Sequence, residues 1–64
     1  EDHYTQAGDL FRLMNDSQKD QLTTTIAGGL IHASESAQQR MLAQFSKADP
    51  DYAARVSAAM ESMR

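Results

Sequence analysis

Histidine, serine and aspartate side chains could do chemistry in this sequence, and none stands in a pattern that catalysis or metal binding requires. His3 and His32 are the two histidines, and they lie far apart in the chain. A zinc site needs three or four suitably spaced ligands, and the sequence has no cysteine to complete a set. Ser17 and Ser34 have no sequence-local partner that marks a nucleophile, and a Gly-x-Ser-x-Gly elbow is missing. We therefore predict no catalytic, cofactor-binding or metal-binding residue in this chain.

Two further groups of residues have structural explanations that we prefer to functional ones. Asp49 can act as a helix N-cap, Pro50 fits the first helical position, and Asp51 favours the positive end of the helix. The alternative, in which the two carboxylates bind a cation or position a substrate, is the functional interpretation of the same residues. The methionines are interpreted as core filler rather than as an adaptable binding surface; they are Met14, Met41, Met60 and Met63.

Length and composition limit the chain to one small domain. It has 64 residues, 41% of them hydrophobic, and a formal net charge of −3. The basic residues never cluster, which argues against a nucleic-acid module, and no apolar run reaches the ~20 residues that cross a membrane. A chain this short without a disulfide has only marginal stability. It is therefore either a helical miniprotein or a fragment that is stabilised by packing on a larger protein. Its start at Glu1, without a methionine, favours excision from a longer chain.

Hydrophobic spacing predicts an all-α array around one central helix. Leu22, Ile26 and Leu30 recur every four residues and therefore share one helical face. Asn15 followed by Gln18 fits a capping box at the start of this helix. The predicted elements are an extended lead-in over 1–8, a short helix over 9–14, and longer helices over 16–32, 35–48 and 50–63. The predicted core consists of Leu10, Phe11, Leu13, Met14, Leu22, Ile26, Leu30, Met41, Leu42, Phe45, Tyr52, Val56 and Met60.

Single residues mark the expected helix ends and close contacts. Asp9 is predicted to cap the short first helix, and either Ser34 or Ser36 caps the third. Gly28 and Gly29 are poor helix formers inside an apolar run, which predicts the close approach of another backbone. The alternative is that the two glycines only end or bend the helix.

Three segments, in register with one another, resemble the C-terminal helical segment of haem catalases. They are Q-A-G-D-L-F-R-L-M over 6–14, D-Q-L-T-T-T-I-A-G-G-L over 20–30 and F-S-K-A-D-P-D-Y-A-A-R-V over 45–56. The family shows Gln-Pro/Ala-Gly, an aromatic-Arg pair, a Leu-x-x-x-Ile-Ala-Gly helix and a Pro-Glu/Asp-Tyr-Gly-x-Arg-Val/Ile ending. Order and spacing agree over nearly the whole chain. The sequence departs from the family's pattern where Pro, Asn and Gly are frequent, at Ala7, Thr25 and Ala53.

The resemblance implies a structural domain rather than a complete enzyme. The distal His and Asn and the proximal Tyr of a catalase belong to the family's β-barrel. Tyr4 and Tyr52 are therefore not assigned as haem ligands. Haem, and the disproportionation of hydrogen peroxide to water and oxygen, then belong to the missing barrel. This chain would bind no cofactor and have no activity alone. Ser34 and Ser36 stand where NADPH-binding members carry Gln and Phe, which speaks against an NADPH site.

The implied partners are the barrel domain and the homotetramer of the parent enzyme, with no nucleic acid and no membrane. The implied location is cytoplasmic, or peroxisomal in a eukaryote, with a role in the oxidative stress response. The alternative function is a free-standing helical protein-interaction module that shares ancestry with this domain. An apolar face left uncovered by its own helices would then bind a partner or self-associate.

Overall fold

The computed structural model describes residues 3–64, with side chains from residue 4 onward, as four α-helices joined by short turns. They are α1 (His3–Leu13), α2 (Asp16–Leu30), α3 (Glu35–Ala48) and α4 (Pro50–Ser62). No strand occurs in the described range, so the predicted all-α class is confirmed. None of these four helices combines the length and the apolar character that a membrane crossing needs.

Side-chain caps fix the starts of α2 and α3 as the sequence predicts. The Asn15 side chain accepts the N–H of Gln18 at 2.8 Å, and the Gln18 side chain accepts the N–H of Asn15 at 3.0 Å, which completes the capping box. Ser34, and not Ser36, caps α3 by accepting the N–H of Ala37 at 3.2 Å. These bonds satisfy N–H groups that a helix start leaves without an intrahelical partner.

Helix α1 begins earlier than the sequence predicts. The lead-in expected over 1–8 is helical from His3, so Asp9 lies inside α1 and does not cap it. The first two residues of that lead-in fall outside the described range. Tyr4, Ala7 and Phe11 stand at helical spacing in α1, a signal that the prediction did not use because polar residues surround it, and the helix packs against α3.

A close approach of two backbones occurs at Gly8 and not at the glycine pair in α2. A Cβ on Gly8 would overlap the carbonyl oxygen of Ala48 at the end of α3. A Cβ on Gly28 or Gly29 would meet nothing within 4 Å, so the predicted packing role of this pair is wrong. Both glycines lie in the last turn of α2, which agrees with the alternative that they end the helix.

The fully buried hydrophobic residues lie mainly between α2 and α4. Ala27 and Leu30 of α2 pack there with Val56 and Met60 of α4, and Phe11 of α1 is buried apart from this cluster. A slab of four short helices with extents of 29 × 28 × 15 Å cannot cover every side of each helix. Several residues predicted to be buried are therefore exposed: Leu10 at 56%, Leu13 at 83%, Met41 at 37% and Met63 at 37%.

The buried face of α2 is rotated relative to the predicted stripe. Thr23 and Ala27 are buried, whereas Leu22 and Ile26 are only half-buried. Thr23 satisfies its hydroxyl by donating to the carbonyl of Lys19 at 2.7 Å. The small side chains of Thr23 and Ala27 let α4 lie close against α2, and the larger Leu22 is left at the edge of the interface.

Candidate functional site

Residues of the first and third sequence segments meet in an aromatic stack. Tyr52 of α4 lies between Phe11 of α1 and Phe45 of α3, with ring centroids 4.6 and 4.9 Å away and nearly parallel planes. The ammonium group of Lys19 on α2 lies 5.0 Å from the Phe11 centroid, so all four helices contribute. Each stacked pair contributes about 0.5–1.5 kcal/mol beyond area burial. Burial raises the pKa of the Tyr52 hydroxyl above its ordinary value.

Arg12 connects α1 to the turn between α3 and α4. Its guanidinium donates to Asp49 Oδ2 at 2.7 Å and to Asp9 Oδ1 at 2.6 Å. Asp49 also caps α4, since its Oδ1 accepts the N–H of Asp51 at 2.8 Å, and the predicted cap is confirmed. The hydrogen bond from Arg12 holds the pKa of the Asp49 carboxyl below its ordinary value, and the same bond raises the pKa of Arg12. Both groups are therefore charged at neutral pH and engaged with each other.

Arg55 joins α4 to the first turns of α2 through three carboxylates. It donates to Asp51 at 2.8 Å, to Asp20 at 2.7 Å and to Asp16 at 3.1 Å. The hydrogen bond to Asp51 is the main reason that the pKa of Arg55 is raised. Because this guanidinium is surrounded by negative charge, it is poorly suited to hold an anionic substrate. The i,i+4 spacing of Asp51 and Arg55 signals part of this cluster in the sequence, but only the fold brings Asp16 and Asp20 of α2 to Arg55.

An uncharged groove opens between α1 and α2, two helices that share few contacts. We name it the α1–α2 groove. None of its lining residues is charged at neutral pH, and charged groups are the ones depleted where proteins bury surface against each other. Its inner part has a volume of about 180 Å³ and is lined by Ala7, Leu10, Phe11, Met14, Leu22 and Tyr52. Its outer part shares Met14 and Leu22 and is also lined by Gln18, Gln21 and Thr25.

A polar cleft of about 510 Å³ lies between α3 and α4. Its charged groups pair among themselves, because Arg64 donates to Glu61 at 2.9 Å and to Gln38 at 3.1 Å. A nucleophilic serine needs a base within hydrogen-bond reach. Among the described residues of the cleft, no hydrogen bond joins the hydroxyl of Ser57 to a carboxylate that could act as that base. The cleft is lined by Glu35, Gln38, Gln39, Leu42, Ser57, Met60, Glu61 and Arg64.

The residues that the sequence offered for chemistry do not come together. His32 is exposed in the turn after α2, and the side chain of His3 lies outside the described residues. Ser17 is exposed in the first turn of α2, and Ser34 is the cap of α3. Across the side chains of residues 4–64, no group of three His, Cys, Asp or Glu is arranged to hold a metal ion.

The fold and these contacts define a class of protein: a small helical domain, held by aromatic stacking and arginine–carboxylate pairs, with an uncovered apolar groove. A family model described as "Catalase-related immune-responsive" matches residues 1–60. The chain belongs to this catalase-related family.

Individual relatives agree with the family match. A catalase of Streptomyces coelicolor is 42% identical over 65 positions, which cover 100% of this chain and 13% of that protein. Catalase A of Pseudomonas putida is 53% identical over 51 positions, covering 80% of this chain and 11% of the relative. A bromoperoxidase-catalase of Streptomyces venezuelae is 35% identical over 65 positions, covering 100% of this chain and 14% of the relative. The chain thus spans about an eighth of the length of these curated relatives. No solved structure matches the chain at a significant level.

Proposed function

We propose that this chain is the C-terminal, non-catalytic helical domain of a haem catalase. The parent enzyme would convert hydrogen peroxide to water and oxygen in a β-barrel domain outside these 64 residues. One observation carries the proposal: the whole chain aligns with a segment that makes up only 13% of the Streptomyces coelicolor catalase. The contacts inside the domain support a structural role, because its arginines and aromatic rings are engaged with one another.

The described residues do not fit haem, so the proposal places haem in the rest of the parent. A haem iron takes an axial His, Cys, Met or Tyr ligand. Both ring faces of Tyr52 are covered by Phe11 and Phe45, and His32 is exposed on a turn. The Tyr52 ring is therefore engaged in the aromatic stack, and His32 is not enclosed by apolar residues, which supports placing haem elsewhere in the parent. An NADPH contact is not assigned either, since Ser34 is occupied as the cap of α3.

The proposed partners of the domain are the β-barrel of its own chain and the other subunits of a homotetramer. A nucleic-acid partner is not proposed, because the formal net charge of −3 would repel phosphates. The proposed location is the cytoplasm, or the peroxisome of a eukaryotic source, where the parent would take part in the response to oxidative stress.

An activity measurement tests the proposal. The purified 64-residue chain is mixed with haem and hydrogen peroxide, and oxygen release and the Soret band are recorded. We expect no sustained oxygen release and no Soret band from specifically bound haem. Sustained turnover with a bound-haem Soret band would contradict the proposal.

The source gene provides the second test. We expect its reading frame to continue upstream of Glu1 into a catalase barrel, and the encoded protein to evolve oxygen from peroxide. A gene confined to these 64 residues would instead favour a free-standing helical interaction module. The exposed leucines of α1 are the feature that such a module would use.

A further inference from the structure

A small pocket between α1 and α3 gathers most of the aromatic residues of the chain. We name it the aromatic pocket; it has a volume of about 230 Å³ and is lined by Tyr4, Ala7, Gln44, Phe45, Ala48 and Tyr52. The chain has two Tyr and two Phe, so three of its four aromatic residues line this pocket. Sites for drug-sized ligands measure roughly 300–1,000 Å³, so this smaller pocket suits a molecule built on a single ring.

Packing inside the domain already orders two of the rings that line the pocket. Phe45 and Tyr52 stack with their centroids 4.9 Å apart and their planes at 5°, and Phe11 covers the other face of Tyr52. Among the described residues, no further ring or cation lies against Phe45. A ligand ring would therefore add an aromatic contact to ordered side chains, which lowers the conformational-entropy cost of binding.

A lysine supplies positive charge at the rim of the pocket. The ammonium group of Lys47 lies 5.5 Å from the ring centroid of Tyr4, which lines the pocket. Each ion pair between described side chains is made by an arginine, so Lys47 takes part in none of them. The lining contains no carboxylate that would repel an anion, and its Gln44 amide can donate a hydrogen bond to one.

We propose that the aromatic pocket binds a small planar aromatic carboxylate of the benzoate type. The ligand ring lies among Tyr4, Phe45 and Tyr52, and its carboxylate faces the Lys47 ammonium and the Gln44 amide. The inference goes beyond the proposed function and does not depend on it, because every residue that it uses belongs to this chain. Arg55 is unsuited to the same role, since three carboxylates already surround it.

A titration with two ligands of the same shape tests the proposed chemistry. The full-length parent is titrated with 4-fluorobenzoate and with neutral 4-fluorobenzamide, and binding is followed by fluorine NMR. We expect 4-fluorobenzoate to bind with a Kd of about 1 mM or lower, as a well-placed ligand of this size does. We expect 4-fluorobenzamide to bind about three- to fivefold more weakly, a modest difference because the Lys47 charge is exposed to solvent.

Four variants locate the binding in the pocket. Lys47→Gln should reduce the affinity for 4-fluorobenzoate to that for 4-fluorobenzamide, whereas Arg40→Gln removes an exposed charge of α3 outside the pocket and should change neither affinity. Ala7→Leu fills the pocket and should weaken both ligands at least about tenfold, because the added side chain takes the space of the ring. Ala54→Leu enlarges an exposed alanine of α4 outside the pocket and is the matched control. Circular dichroism melts confirm that each variant is folded.

Three results would overturn the inference. They are a Kd above about 10 mM for 4-fluorobenzoate, equal affinities for the two ligands, or an affinity that Ala7→Leu leaves unchanged. The last result would mean that the ligand binds elsewhere in the parent. None of these measurements uses peroxide turnover, so a parent without catalase activity would contradict the proposed function and leave this inference standing.

Discussion

Helices α2 and α1 use their apolar residues in opposite ways. In α2, Ala27 and Leu30 are buried against α4, and half-buried neighbours such as Ile26 surround the same cluster. In α1, Phe11 is buried, whereas Leu10 and Leu13 are largely exposed. The α2–α4 pair therefore forms a closed interface, and α1 is attached with one apolar side still open.

The two regions also differ in what holds them. Extensive packing between helices stabilises the α2–α4 pair. Helix α1 packs against α3 and is also fixed by three specific contacts: the stack of Phe11 on Tyr52, the backbone approach at Gly8, and the ion pair of Arg12 with Asp49. Helix α1 is therefore held on the side that faces α3 and left open on the side of Leu10 and Leu13. Substitutions at these contacts test whether α1 and α2 differ in this way.

The largest expected effect distinguishes two apolar residues of α1 itself. Phe11→Ala should lower the free energy of unfolding by about 3–5 kcal/mol, because it removes a ring that is 1% exposed and stacked on Tyr52. Leu13→Ala should change it by less than about 0.5 kcal/mol, since that side chain is 83% exposed. Urea unfolding followed by circular dichroism measures both. Similar losses for the two variants would show that the two sides of α1 do not differ as described.

A smaller effect, of opposite sign at two glycines, tests the attachment of α1 to α3. Gly8→Ala should lower the free energy of unfolding by about 1–3 kcal/mol, because its Cβ would overlap the carbonyl oxygen of Ala48. Gly29→Ala is the control and should raise stability by about 0.4–1 kcal/mol, because its Cβ meets open space in a helix. Thermal melts of the two variants give the signs. A neutral Gly8→Ala would mean that α1 does not lie against the end of α3.

Among the substitutions expected to destabilise the domain, the smallest effect concerns the N-cap of α4. Asp49→Ala should cost about 0.5–2 kcal/mol, the usual loss for an N-cap. Asp49→Asn keeps a capping oxygen but removes the charge that binds Arg12, so it separates the cap from the ion pair. Equal losses for both variants at neutral pH would contradict the capping role.

The pH dependence of stability follows from the pKa of Asp49. This pKa is lowered in the folded protein from an ordinary value of 3.8, mainly by the hydrogen bond from Arg12. The stability that the carboxylate contributes is therefore fully present above pH 3.8 and is lost as the pH falls through the lower folded pKa. Melting temperatures measured through this range should fall less steeply for Asp49→Asn than for the unsubstituted chain.

Capping and spacing rules predicted α2, α3 and α4 well, because the residue just before each helix caps its start. Asn15, Ser34 and Asp49 each cap the helix that follows, and the observed starts agree with the predicted ones. The first helix was predicted too short, since its polar beginning is stabilised by α3, which is distant in sequence. The close approach at Gly8 could not be predicted for the same reason, because only the fold brings Ala48 to it.

The candidate surfaces were harder to predict than the helices. Periodicity placed Leu13 and Met41 in the core, but exposure depends on which sides of a helix the neighbouring helices cover. The carboxylates around Arg55 come from α2 and α4, and sequence spacing reveals only Asp51. The resemblance of three segments to a known family led to the proposed function, which no single residue pattern indicates.

The most direct test of the account is Tyr52→Phe in the full-length parent enzyme. Tyrosine is the axial haem ligand of catalases, whereas Tyr52 is a member of the aromatic stack in a domain that we propose to be non-catalytic. Phenylalanine keeps the stacked ring, so the Soret band and the kcat for peroxide should be unchanged. Loss of the Soret band, or a fall in kcat of about tenfold with an unchanged melting curve, would contradict the account.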